Sequence, residues 1–123
     1  MISASIIAIG DELLNGFTID TNSQWIKEKL QKYRIVLNKS LIIPDSKKLI
    51  FKELENCLNQ KVNFIFISGG LGPTHDDITK RTLSEYFDVP LVVNEHYLSF
   101  LKKKFHKLIK QNTKLDAFDK IER

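Results

Sequence analysis

The sequence predicts an α/β fold of three layers, with helices on both faces of a mostly parallel sheet. Two observations carry this. Strand-like and helix-like segments alternate along the whole chain, and the strand-like segments are continuous apolar runs, the pattern of strands buried on both faces. Parallel neighbours joined by right-handed helical crossovers follow from that alternation. At 123 residues, 42% hydrophobic and 28% charged, the chain is read as one domain spanning 1–123 with material for a core.

Ser5-Ile6-Ile7-Ala8-Ile9 is the first predicted strand, ending at Gly10, and residues 11–16 (DELLNG) form an irregular loop. Asp20-Thr21-Asn22-Ser23 supplies caps for a helix that turns Ile26, Leu30 and Tyr33 inward. A second strand lies within 35–43 and stops at Pro44; Asp45 or Ser46 then caps a helix with Ile50, Leu54, Cys57 and Leu58 on one side. The third strand, 62–67 (VNFIFI), runs straight into 68–77 (SGGLGPTHDD). Thr74, Asp76 or Asp77 is expected to cap the next helix, which buries Leu83, Tyr86 and Phe87. Pro90 breaks the chain, and a Lys-rich amphipathic helix follows a short extended stretch over 91–93.

The glycine-rich turn from strand to helix is an anion site by construction, because free N–H groups and the positive end of the helix dipole meet there. It is not a P-loop, since Gly72 is followed by Pro73-Thr74 and no Lys-Ser/Thr pair. The dinucleotide fingerprint fails too, with His75 where its third glycine would stand. A ligand-free turn is the plain alternative, but two consecutive acids beside three glycines exceed what a turn requires.

If the first strand lies between the second and third, the loops at the carboxyl ends of the strands converge on one sheet edge. That gathers Asp11, Glu12, Asp20, Asn22, Asp45, Asp76 and Asp77 around the glycine amides and Thr74. Carboxylates beside a phosphate loop repel the ligand unless a cation intervenes, so Mg²⁺ or another divalent ion is implied. A zinc site from His75, His96 and His106 has neither cysteines nor a closely spaced pair in its favour. Asp20 and Asp45 also serve as simple helix caps, a role that needs no chemistry.

Composition narrows the remaining classes. No apolar run approaches the ~20 residues that span a membrane, and 1–3 (MIS) lacks a basic leader. The single cysteine, Cys57, reads as a small core residue, which suits a reducing cytoplasm. The net charge of +4 and pI near 9.2 come in part from Lys102, Lys103, Lys104, Lys107 and Lys110 on the late helix. They read as a solvated face, with nucleic acid a distant alternative because the site residues lie elsewhere.

Residues 9–16 (IGDELLNG), 20–24 (DTNSQ), 43–45 (IPD) and 69–80 (GGLGPTHDDITK) together resemble the molybdopterin-binding fold domain in its CinA-like form. The resemblance runs from about Ser5 to Lys107. Related MoaB and MogA proteins carry a Gly-Gly-Thr-Gly version of the loop. The resemblance implies functional aspartates at Asp45 and Asp77, which would also hold the metal. Gly69, Gly70, Gly72 and Thr74 would hold phosphate, and Asp11, Asp20 and Asn22 would line the pocket.

CinA-type domains resemble metal-dependent pyrophosphatases acting on ADP-ribose, and related domains fused to FAD synthases hydrolyse dinucleotides. MoaB and MogA relatives bind or adenylylate molybdopterin, the alternative ligand. The deamidase activity associated with full CinA belongs to a separate C-terminal domain that this sequence does not include. Hydrolysis of a nucleotide pyrophosphate is thus the leading expectation. A pterin-binding module and a non-catalytic interaction protein are the others. Family domains continue into a further strand and a Pro-Gly loop that closes the pocket, so the sequence reads as a C-terminally short form, a fragment, a degenerate homologue or a subunit completed by another chain. Self-association into a homo-oligomer is expected to compensate, unless Leu115, Phe118 and Ile121 fold back over the gap.

Overall fold

The computed structural model describes residues 1–110. Leu115, Phe118 and Ile121 lie outside the described residues. The chain falls into two compact units, Met1–Val89 and a second beginning at Pro90.

In the first unit the order is β1 (Ser3–Ile9), α1 (Asp11–Leu14), α2 (Thr21–Lys32), β2 (Val36–Ile43), α3 (Lys47–Asn59), β3 (Phe64–Ser68) and α4 (Thr79–Phe87). The strands pair in parallel in the order β2-β1-β3, so β1 is central, the condition under which the three loops converge. Its alternation serves two cores. Ile7 and Ile9 join Ile43, Ile50, Leu54 and Cys57 on the face covered by α3 and α4; Ala4 and Ile6 meet Leu30 of α2 on the other. Burial on both faces explains the unbroken apolar run. The β1–β2 register shifts between Ala4 and Ser5, leaving Asn38 as an extra residue on β2. The Asn38 amide donates to Gln60 Oε1 at 2.7 Å and to Ser5 Oγ at 3.4 Å.

Several local expectations are corrected. Residues 11–14 form one helical turn where a loop was expected, because the Gly10 carbonyl accepts from Leu13 and Leu14 N–H and two acids sit at the positive end of the turn. β3 begins at Phe64, two residues late, since Asn63 turns its side-chain oxygen to the Ser3 N–H. Tyr33, Leu58 and Phe87 are exposed, although helical spacing aligns them with core residues. Tyr33 lies beyond the end of α2, and Thr79 and Thr82 take the buried positions of α4. Between α3 and α4, Tyr86 meets Phe51 edge-on at 5.2 Å and Lys47 pairs with Glu85.

Two caps match the expected residue types. Asp20 accepts from the Ser23 N–H at 3.1 Å, and Ser46, the second of the two candidates, accepts from Leu49 N–H at 3.3 Å. α4 ends at Asp88 in the left-handed region, with Val89 N–H bonding back to the Ser84 carbonyl.

In the second unit, residues 91–93 are exposed and form no strand. Helix α5 (Glu95–Lys110) is capped by Asn94, whose side chain accepts from Tyr97 N–H. Leu98, Leu101, Phe105 and Leu108 are partly buried, while Lys103, Lys104 and Lys107 are exposed. Among the described residues, no helix is long and apolar enough to cross a membrane.

Candidate functional site

At the carboxyl ends of the strands, three loops enclose a cleft of about 560 Å³. Asp11, Glu12, Asn15 and Phe17 line it after β1, Asp45 after β2, and His75, Asp76 and Ile78 after β3. The first two loops are tied by a reciprocal pair of bonds. Asp11 N–H donates to Asp45 Oδ2 at 3.3 Å, and Asp45 N–H donates to Asp11 Oδ1 at 3.2 Å. Just above, Gly10 N–H extends the β1–β2 ladder to the Ile43 carbonyl at 2.9 Å.

The third loop is shaped by its glycines. Gly69 (φ +85°) and Gly70 (φ +62°) both occupy the left-handed region. A Cβ at Gly69 would run into the Ile9 carbonyl, and one at Gly70 into Thr79 Oγ1. The chain can therefore turn this close to β1 only with glycine. Thr79, fully buried, latches the turn: its hydroxyl donates to the Gly69 carbonyl at 2.8 Å and its N–H to the Gly70 carbonyl at 3.2 Å.

Asp77 does not cap α4. Its Oδ2 turns back to accept from the Thr74 N–H at 3.1 Å and the Thr74 hydroxyl at 2.5 Å. The helix starts two residues later, after Ile78, with no side-chain cap. A Cβ on Gly72 would sit 2.6 Å from the same oxygen, which gives that glycine its reason.

These environments push the two aspartates apart. Burial raises the proton affinity of Asp45; the hydrogen bond from Asp11 opposes this, and the carboxylates of Asp11, Glu12 and Asp76 add to the rise. The Thr74 hydroxyl, opposed by desolvation and reinforced by the Thr74 and Gly72 N–H groups and the charge of Lys80, holds Asp77 below the ordinary range.

Of the residues singled out from sequence, Asp11, Glu12, Asp45 and Asp76 border the cleft together, and Gly69, Gly70, Gly72, Thr74 and Asp77 build the adjoining loop. Asp20 and Asn22 are not among the lining residues of the cleft. Asp20 is the α2 cap and borders a separate depression with Trp25, and Asn22 is exposed on the first turn of α2. Sequence reasoning missed Asn15, Phe17 and the cleft position of His75. Their signal was membership of the converging loops, and for Phe17 an aromatic directly after a turn glycine.

As a cation site, the cleft offers the hard oxygens of Asp11, Glu12, Asp45 and Asp76. Among the described residues, no three His, Cys, Asp or Glu side chains could hold a metal ion by themselves. The set fits an ion of the Mg²⁺ type, which takes one or two carboxylates and completes its shell from phosphate and water.

The probable molybdopterin binding domain model matches residues 5–117. The chain belongs to this family. Over 95 residues it is 48% identical to a CinA-like protein of Flavobacterium psychrophilum, covering 77% of this chain and 22% of that relative. The molybdopterin-binding domain is also similar to the crystal structure of a CinA protein of unknown function from Thermoplasma acidophilum, with 30% identity and a TM-score of 0.74 over 85% of this chain and 61% of that one. The tungsten cofactor synthesizing protein MoaB from Pyrococcus furiosus matches with a TM-score of 0.67 at 23% identity, over 85% of this chain and 64% of that one, a likeness of fold. The chain thus spans under a quarter of the length of the Flavobacterium relative.

Proposed function

We propose that the cleft hydrolyses the pyrophosphate bond of a nucleotide such as ADP-ribose in the presence of a divalent cation. One observation carries this reading: among the described residues, four carboxyl side chains and no lysine or arginine line a cleft that adjoins a glycine loop suited to phosphate. An anionic ligand enters such a cleft only with a cation. A divalent ion bound there would neutralise phosphate charge and polarise a phosphoryl oxygen.

The chain's own groups divide the remaining work. Asp45, with its raised proton affinity, takes the proton of the attacking water as that oxygen bonds to phosphorus and the bridging P–O bond breaks. Asp77 holds Thr74 through Oδ2 and so fixes the shape of the glycine loop beside the cleft. N–H groups of the glycine loop other than those of Gly72 and Thr74, which Asp77 engages, take the developing charge. A homo-oligomer belongs to the same proposal, with sedimentation at micromolar concentration as its test.

The test is turnover of ADP-ribose to AMP and ribose 5-phosphate with Mg²⁺ or Mn²⁺. Chelator should abolish it, and Asp45→Asn and Asp77→Asn should each lower kcat by ~10²-fold or more. The family match supports a second reading, a pterin-binding module without hydrolysis. Tight metal-independent binding of molybdopterin with no nucleotide turnover would establish that module and overturn the first reading.

A further inference from the structure

Phe17 is 83% exposed, yet it follows Gly16 in a sharp turn (φ +77°) that sets it beside the acids of the cleft. Among the described residues it makes no ring contact with another aromatic side chain. Packing does not account for a bare aromatic ring at this position, because neither core cluster includes it. The cleft volume of about 560 Å³ exceeds what a diphosphate and one ion need and falls within the ordinary range of small-molecule sites.

We infer that Phe17 is a specificity-determining residue that stacks on the flat nitrogen heterocycle of a phosphate ester held in the acid-lined cleft. This rests on reading the cleft as a phosphate site. Both candidate ligand classes, an adenine nucleotide and a pterin phosphate, present such a ring. The exposed ring of Phe17 remains to be covered, and base-on-aromatic stacking tolerates any flat heterocycle because each has a π face. Asn15, two residues earlier on the same wall, adds an amide that can donate to and accept from a ring edge. The acids then discriminate by charge and Phe17 by shape.

The inference is tested by calorimetry on the 123-residue chain with Mg²⁺, using three probes: AMP, a pterin monophosphate and inorganic pyrophosphate. Phe17→Ala should weaken binding of at least one ring-bearing probe by ~10-fold. It should leave pyrophosphate unchanged, and Phe17→Trp should restore the loss. Whichever ring-bearing probe responds names the ligand class. Urea midpoints of both variants should match the parent, since the side chain is mostly in water. Unchanged affinity for both ring-bearing probes, failure of both to bind the parent, or an equal loss for pyrophosphate would overturn the role of Phe17. The phosphate reading fails separately, if pyrophosphate does not bind the parent while a ring-bearing probe still responds to Phe17→Ala.

Discussion

Asp45 and Asp77 are chemically the same residue placed in opposite environments, and their titrations should pull stability in opposite directions. Unfolded, each titrates near 3.8. Folded Asp45 keeps its proton to higher pH, so ionising it costs the fold, and that penalty sets in as pH rises above 3.8. Folded Asp77 loses its proton more readily, so its contribution is complete above 3.8 and disappears as pH falls below that value. Asp45→Asn should therefore raise stability at pH 7, read as a small upward shift of Tm at low salt. The gain should shrink in high salt and vanish well below pH 3.8. Scanning calorimetry at two pH values and two salt concentrations checks this; a destabilised variant at pH 7 would show that the Asp11–Asp45 clasp outweighs the repulsion.

At the level of elements, the parallel sheet was legible in the sequence, because unbroken apolar strands alternating with amphipathic helices leave few arrangements. The order β2-β1-β3, on which the convergence of the three loops depends, was not, since no residue pattern marks which strand is central. Nor was the start of α4. Asp76 and Asp77 have good capping chemistry, but Thr74 offers Asp77 two donors within its own loop, so the helix begins at Thr79. Helical periodicity likewise placed Tyr33, Leu58 and Phe87 inside, although a three-stranded sheet is too narrow to cover every apolar position of its helices. What joins the glycine turn to α4 is the Thr79 hydroxyl, buried and bonded to the Gly69 carbonyl. Thr79→Val keeps the volume and leaves that carbonyl without its partner, which should cost about 1–3 kcal/mol in urea unfolding. Thr79→Ser, which keeps the hydroxyl, should lose less. Equal losses would assign the cost to the missing methyl packing and remove the latch.

For the whole molecule, the division at Val89 predicts where the chain can be cut. Both core clusters are built from residues that precede Phe87. α4 closes itself through Asp88 and the Val89 N–H, so its last carbonyls do not depend on residues that follow. Leu91, Val92 and Val93 are exposed and lie outside any regular element. An unstructured, exposed stretch between two compact units is where proteolysis starts. Limited digestion should cut within 90–94 first and release a fragment ending near Val89 that resists further digestion. Expressed alone, residues 1–89 should unfold cooperatively in urea, because a chain of that length with a core on both sheet faces exceeds the ~60 residues at which single domains become marginal. Its cleft should also keep the chain's affinity for pyrophosphate with Mg²⁺, since every lining residue precedes Thr79. A 1–89 fragment that unfolds or aggregates would mean that the sheet depends on the second unit for cover. A folded fragment with a lost pyrophosphate site would instead make residues beyond Val89 part of the binding wall.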